Sequence, residues 1–530
     1  MEFKFGGSET NQKTILGHPS GLFVLFFTEM WERFSYYGMR ALLVLFLTAA
    51  ILDDSGWGWE RAEALVLYGW YTGLVYITPI FGGLIADKLM GYRKAVVAGA
   101  LLMTLGHASM ALEITSDIFF YVGLGLLIVG NGLFKPNISS MVGQLYKNQG
   151  KEKDAGYTIF YMGINAGAFL GILLCGYIGE SVGWHYGFGL AGIFMFFGML
   201  QFYFAQKIFA RIGLSPKETV SFDNAIENSL KENIKKVEKV IEDIEKSKVT
   251  KDRLIVIGVF SFFTIFFWWA FEQAGGSMTI FAADYTDRIL VGNGAIIFKV
   301  FNTLLTIVPM IIITGVLVML FKQTFSKYSL SNILLGTSFV IIWGIVIWML
   351  NREFGKETAE VNASWFGILN SFFIIAFAPL FSKIWQSKFN PTGPIKFAIG
   401  LILLGIGFGI LAYGTLGIPL GAKTASVSML FLIFAYLFHT LGELCVSPVG
   451  LSYVSKLAPL KLVGMMFGIW FVANFVANLT AGFTGSYIDP IVEKYGMTSF
   501  FLIFTVIPFF AGLVMIILNK TLLKMMHGIR

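Results

Sequence analysis

Apolar residues run through this chain in long blocks separated by short polar breaks. Windows of about 20 residues, the length that crosses a hydrocarbon layer, mark segments near 21–50, 62–86, 95–113, 119–145, 155–179 and 185–208. They continue near 253–274, 300–321, 331–350, 363–385, 396–414, 427–455, 462–487 and 498–519. Fourteen segments, an even number, put both ends of the chain on one side. Between the sixth and seventh the pattern changes. Ile226, Leu230, Ile234, Val237, Ile241 and Ile244 recur every three or four residues among dense Glu and Lys, the period of an amphipathic helix. A solvated linker helix is expected there rather than a docking helix. The chain is polar to about Ser20, and the apolar run after it is too long and too charged for a cleaved leader, so it is expected to stay as the first span.

Composition makes lipid the solvent. Hydrophobic residues are 56% of 530, charged residues 13%, and the mean hydropathy is +0.73. A soluble domain carries roughly a quarter charged residues, so one large soluble core is excluded. The net charge of +7 reflects basic loops, not a nucleic-acid surface, because no basic stretch interleaved with aromatics is present. Lys88, Arg93 and Lys94, then Lys147, Lys151 and Lys153, then Lys322 and Lys327 fall on one face of the alternation. Lys383 and Lys388, Lys456 and Lys461, and the tail with Lys520, Lys524 and Arg530 join them, while Asp53, Asp54, Glu357 and Glu360 lie opposite. Basic loops stay in the cytoplasm, so both termini are expected there. Cys175 and Cys445 sit in apolar segments, and neither a disulfide framework nor a metal site is expected.

Ionisable groups inside a span cost several kcal/mol unless they are paired or face a cavity. The few present cluster. On the first span Glu29, Arg33, Tyr36 and Arg40 fall within about 60° of one another at 100° per residue, flanked by Glu32 and Tyr37. Two acids and two bases on one face exceed what gluing two helices requires. Lys135 lies mid-span beside Pro136, which interrupts the helical hydrogen-bond ladder. The seventh span offers Trp268 and Glu272 one turn apart, and the segment 427–455 offers His439 and Glu443 at i, i+4. His439 alone reads as a core histidine. Tyr76, Asn165, Asn370 and Trp470 each read alone as packing or helix–helix hydrogen bonding. Gly-rich runs such as 163–179 and 400–409 suit close helix packing, and no phosphate-cradling loop is present. ATP hydrolysis is therefore not expected. Coupling to an ion gradient is left, and an acid held between a base and a second acid suits proton binding.

Glu29-x-x-Glu32-Arg33 followed by Phe34-Ser35-Tyr36-Tyr37-Gly38 resembles the first-span signature of proton-dependent oligopeptide transporters, the POT/PTR family of the major facilitator superfamily. Phe160-Tyr161 with Asn165 and Gly167 is similar to the family's fifth-span signature, and Gly83, Asp87, Lys88, Gly91 and Arg93 resemble the superfamily's loop motif. Lys135-Pro136-Asn137, Gly442-Glu443 and Ser447-Pro448 with Gly450 also resemble family motifs, and the matches run from about 21 to 490. The resemblance implies an all-α membrane protein of two six-helix bundles plus one extra helix pair, about 14 spans, divided as 1–208, a linker 209–252, and 253–530 with the pair near 300–350. Many bacterial members carry such a pair between the bundles, so its position here is a departure. A second departure is Gly69, which stands where some members have a second-span His, so proton coupling by that His is excluded.

By resemblance, Glu29, Glu32 and Arg33 couple protons to transport, and Arg40 and Lys135 hold the peptide carboxylate. Glu443, with Asn165 and Asn370, meets the peptide amino group. Tyr36, Tyr37 and Tyr76 supply hydroxyls, and Trp268 and Trp470 shape side-chain pockets. Glu272 forms a gate salt bridge with Arg40, and Lys135 with Glu443 does the same on the other side. The expected function is a proton-coupled importer of di- and tripeptides, monomeric, in the plasma membrane (the inner membrane of a bacterium). Its expected partners are peptide, protons and membrane lipid, with no cofactor, metal or nucleic acid. Nitrate, histidine or a drug as substrate is the alternative on the same fold. A membrane sensor or enzyme is the alternative from another class, against which the sequence offers no sizeable soluble domain and no nucleophile–base set.

Overall fold

The computed structural model describes residues 3–51, 55–147, 150–216, 218, 248–459 and 462–529. Helices carry nearly all of it, since in lipid a helix satisfies every backbone donor and acceptor within one segment. In chain order they are α1 (Ser20–Thr48), α2 (Arg61–Ile85), α3 (Gly91–Ala111), α4 (Asp117–Gln144), α5 (Lys151–Ser181), α6 (Trp184–Ala205) and α7 (Lys248–Phe271). The short α8 (Ser277–Asp284) follows, then α9 (Gly292–Thr324), α10 (Ser329–Phe354), α11 (Ile368–Gln386), α12 (Gly393–Gly414), α13 (Leu430–Leu457), α14 (Val463–Ser486) and α15 (Ile488–Met525). Among the described residues six two-residue strands pin loops: β1 (Thr14–Ile15), β2 (His18–Pro19), β3 (Thr286–Asp287), β4 (Ile289–Leu290), β5 (Ala359–Glu360) and β6 (Val427–Ser428). β1 pairs with β2 and β4 with β5 antiparallel, and β3 pairs with β6 parallel.

Among the described residues, twelve helical runs are long and apolar enough to cross a membrane, which makes this a multi-pass membrane protein. One run, Arg61–Ala111, contains both α2 and α3. It passes through a π-helical turn at Ala86–Met90 and breaks at Gly91, whose φ of 76° is costly for any residue with a Cβ. α1, 29 residues long and buried along most of its length, falls outside the twelve because Glu29, Glu32, Arg33 and Arg40 interrupt its apolar sequence. The linker helix expected around Ile226 to Ile244 lies outside the described residues.

Packing gathers the chain into two compact units. The first comprises Met1–Trp57, Thr78–Thr219 and Arg288–Ile368; the second comprises Gly58–Ile77, Val220–Asp287 and Leu369–Arg530. Chain order alone groups residues as 1–208 and 253–530. Packing instead places α9 and α10 in the first unit and the opening of α2 in the second.

In the first unit α1 lies against α5 and α6. Gly163, Gly167 and Gly171 form a stripe on α5 that lets the α1 backbone approach. A Cβ on Gly163 would stand 2.9 Å from Phe26 Cδ2, and Cβ atoms on Gly167 and Gly171 would run into the Met30 and Phe34 carbonyl oxygens. The fifth-span signature is thus a packing surface for the charged helix. Asn11 caps the start of α1: its Oδ1 accepts from the Gly21 amide at 2.6 Å and its Nδ2 donates to the Gly6 carbonyl at 2.5 Å. Nearby, His18 Nδ1 lies 2.7 Å from the Tyr146 hydroxyl, and burial pushes the imidazole below its ordinary range.

The pair α9–α10 is fastened to this unit by polar contacts at its ends. Ser331 donates to the Gln201 carbonyl at 2.7 Å, and Tyr177 donates to Glu353 at 2.6 Å. Glu180 accepts from the amides of Ala363 and Ser364, at 2.9 and 3.0 Å, ahead of α11.

In the second unit α12 packs against α13 and α15, and α7 packs on α14. The opening of α2 crosses α14 backbone to backbone: a Cβ on Gly69 would lie 2.8 Å from Gly482 Cα. A side chain at 69 would require the two backbones to move apart. At its N-terminal end α2 is held by Arg61, which pairs with Asp284 at 2.7 Å and Asp489 at 2.8 Å and donates to the Tyr285 hydroxyl at 3.2 Å.

Candidate functional site

The expected residues fall into two charged clusters, one in each unit. In the first, Arg33 stands between the two acids of α1. Its Nε lies 2.8 Å from Glu29 Oε1 and 2.6 Å from Glu32 Oε2. All three side chains are buried, with 2% of Glu29, none of Glu32 and 3% of Arg33 exposed. An ion set removed from water to this degree holds together only through its own pairing and hydrogen bonds. From α4, Asn131 Nδ2 donates to Glu32 Oε1 at 2.9 Å. One turn on, Lys135 adds its charge to the field at Glu32.

One turn beyond the acids on α1, Tyr36 and Tyr37 meet edge to face at 5.1 Å between ring centres. The Arg33 guanidinium lies 5.8 Å from the Tyr36 ring, and that of Arg40 lies 6.0 Å from the Tyr37 ring. Such contacts keep a cation attracted to an aromatic face. Arg40 and Lys135 are half-buried. Asn165 is buried on α5 and donates to the Tyr161 carbonyl at 3.0 Å. The first unit therefore gathers Glu29, Glu32, Arg33 and Asn131, with Arg40 and Lys135 flanking them.

The second unit holds acids. Glu443 on α13 accepts from Asn370 Nδ2 of α11 at 2.8 Å, and that amide also reaches Thr440 Oγ1 at 3.2 Å. Glu272 acts electrostatically on Glu443. It sits where α7 stops, on the 3-10 turn Glu272–Gly275, and is buried. That interruption is the kind of irregular backbone that lipid-spanning segments allow only inside protein or beside a cavity. Trp268 is half-buried one turn earlier and packs on Phe271 at 5.1 Å. Trp470 on α14 is buried against Gly450, where a Cβ would run into its ring. Tyr76 is half-buried on the part of α2 that belongs to this unit.

His439 is a core residue. Its ring lies 4.4 Å from that of Phe408, 1% of it is exposed, and among the described residues neither ring nitrogen has a hydrogen-bond partner. Among the described residues no group of three metal-ligating side chains is present.

Two participants carry little signal in the sequence. Asn131 belongs to the first cluster, and its place one turn before Lys135 was the available signal. Arg61 with Asp284 and Asp489 forms a buttressed ion set at one end of the second unit, from residues 223 and 428 positions apart.

Comparison with known proteins places the chain in a family. The sequence profile of the POT family matches residues 93–347 and 333–498. A di-/tripeptide transporter of Lactococcus lactis subsp. lactis is 31% identical over 98% of this chain and 99% of that protein. The peptide transporter YePEPT of Yersinia enterocolitica subsp. palearctica is 33% identical, over 90% of this chain and 89% of its own. A crystal structure of a peptide transporter POT in complex with sulfate superposes with a TM-score of 0.74 at 29% identity, covering 97% of both chains. The profile match over most of the sequence, together with relatives spanning nearly its full length, shows that this chain belongs to the POT family of transporters.

Proposed function

We propose that this protein is a proton-coupled symporter that imports di- and tripeptides by alternating access. The observation that carries the reading is the unequal division of charge. Three bases and two acids lie in the first cluster, and two acids, Glu272 and Glu443, lie in the second. A peptide offers one carboxylate and one ammonium. Arg40 and Lys135 suit the carboxylate, and Glu443, held by Asn370, suits the ammonium, with Asn165 assisting. Tyr36, Tyr37 and Tyr76 offer hydroxyls, and Trp268 and Trp470 bound the side-chain pockets. Because both contacts read the peptide's backbone charges, its side chains are read loosely and selectivity is broad.

Glu29, Glu32 and Arg33 are the proton-coupling set. Two carboxylates on one guanidinium carry one negative charge in excess, which a single proton balances. Glu29 Oε2 is a buried acceptor with no hydrogen-bond partner among the described residues, so the excess negative charge of this set is held away from water. In the proposed cycle, Glu272 pairing with Arg40 and Lys135 pairing with Glu443 belong to opposite states of a rocking movement.

The topology proposed is fourteen spans: the twelve apolar runs, with Arg61–Ala111 counted as two, and α1. Both termini are cytoplasmic by the loop charges, and the working unit is a monomer in the plasma membrane. The proposed domain plan is two six-helix bundles joined through a linker at 209–252, with α9–α10 as the extra pair. Lys135 and Glu443, which suit a ligand carrying both a carboxylate and an ammonium, favour a peptide over nitrate; free histidine carries both charges too and is separated from a peptide by competition. Competition is the test. An unlabelled dipeptide is expected to suppress uptake of a labelled dipeptide by at least about tenfold at saturation, while the free amino acids leave it within about twofold. Equal competition by free amino acids would instead point to a different small solute.

A further inference from the structure

We infer that α10 of the inserted pair sets the rotation of α1 about its own axis, with Phe339 as the positioning residue that holds the proton-coupling cluster in register. The inference rests on the coupling role proposed above for Glu32.

The side of α1 that faces away from the charges is aromatic. Phe27, Trp31 and Phe34 stand at i, i+4 and i+7, one stripe of a helix. Trp31 lies two residues from both Glu29 and Arg33, about 160° around the axis at 100° per residue. Phe339 reaches this stripe from α10. Its ring is 5.6 Å from Phe27 and 5.6 Å from Trp31, crossing them at 85° and 63°. On the other flank Phe194 of α6 stacks on Trp31 at 4.6 Å and 22°. Edge-to-face and stacked aromatic pairs have defined geometry, unlike aliphatic contacts. Trp31 is thus clamped between rings of two helices.

A polar bridge repeats the connection one turn away. Thr28 Oγ1 on α1 donates to Gln201 Oε1 at 2.9 Å, and Ser331 Oγ on α10 donates to the Gln201 carbonyl at 2.7 Å. Gln201 is fully buried. Phe339 itself is 3% exposed, whereas its neighbour Val340 is 73% exposed, so one face of α10 belongs to α1 and α6.

Rotation matters because the charges sit at the rim of the helix. At about 5–6 Å from the axis, a turn of 10° moves a carboxylate by roughly 1 Å. The Asn131–Glu32 hydrogen bond of 2.9 Å does not survive a 1 Å stretch. The glycine stripe of α5 meets the neighbouring flank of α1 at the backbone of Met30 and Phe34 and offers no side chain to interlock with it, so it cannot set rotation alone. The inserted pair supplies the missing constraint.

The test uses the full-length protein in liposomes, with two readouts of labelled dipeptide: accumulation under an inward proton gradient, and exchange against internal dipeptide with no gradient. Phe339→Ala is expected to lower accumulation about fivefold and to shift its pH dependence, with exchange within about twofold of wild type. Phe339→Leu is expected to recover at least about half of the loss, and Val340→Ala on the exposed face to match wild type. If Phe339→Ala does not reach the membrane, Ser331→Ala replaces it, with accumulation expected to fall about twofold or more and exchange to hold. A parallel fall of both readouts, or unchanged accumulation, overturns the inference. Glu32→Gln runs alongside. If it loses accumulation while Phe339→Ala and Ser331→Ala keep it, only the role of α10 is overturned; if Glu32→Gln also accumulates normally, the coupling reading falls and this inference with it.

Discussion

Glu443→Gln and Lys135→Ala are each expected to abolish proton-driven dipeptide uptake while leaving the protein in the membrane at wild-type levels. The glutamine keeps the shape of the glutamate and an oxygen that accepts from Asn370 Nδ2, now at 2.8 Å, so the link between α11 and α13 survives. What disappears is the charge that meets an ammonium. A hydrogen bond to a charged partner is worth about 1.5–3 kcal/mol, which corresponds to roughly 10- to 150-fold in affinity. Lys135→Ala removes the opposite pole, and Lys135→Arg is expected to retain part of the uptake. The measurement is initial uptake against dipeptide concentration, normalised to protein in the membrane. Wild-type uptake by either Glu443→Gln or Lys135→Ala would sink the two-pole account.

The second large effect is expected on coupling rather than binding. Glu32→Gln should lower gradient-driven accumulation by at least about tenfold and leave dipeptide exchange within about twofold. Removing one partner of a buried ion set is usually damaging because it strands a charge. Here Arg33 keeps Glu29 at 2.8 Å, and the Gln side chain can still accept from Asn131. The fold is therefore retained, and the proton acceptor is lost. Exchange moves no net protons and so continues. Loss of both readouts together would assign Glu32 to structure instead.

The charged cluster was legible because lipid makes ionisable groups conspicuous. Four of them in one apolar stretch announce a site, and their helical spacing places them on one side. Their spacing puts Glu29 and Arg33 on one face of α1, and the structure pairs them. Asn131 was not legible in the same way, because an uncharged amide in a span carries no signal beyond its spacing from Lys135. Arg61 reads in sequence as an ordinary charge at a helix start. Its partners Asp284 and Asp489 are fixed only by tertiary packing.

The inserted pair shows where hydropathy stops being informative. α9 and α10 are apolar almost all round, so their sequence says that they lie in lipid and not which helices they touch. Packing assigns them to the first unit, against α1 and α6, although they follow α7 in the chain. Gly69 is the converse case. Read as the absence of a histidine it is only a negative, and the structure adds a close backbone crossing at Gly482.

In the proposed function a proton gradient drives peptide inward through this chain, and transport by purified protein in liposomes is the decisive measurement. With an acidic exterior and a labelled dipeptide outside, the dipeptide is expected to accumulate above its external concentration, and the accumulation to collapse when a protonophore is added. Equilibration without accumulation, or accumulation indifferent to the protonophore, would contradict that function.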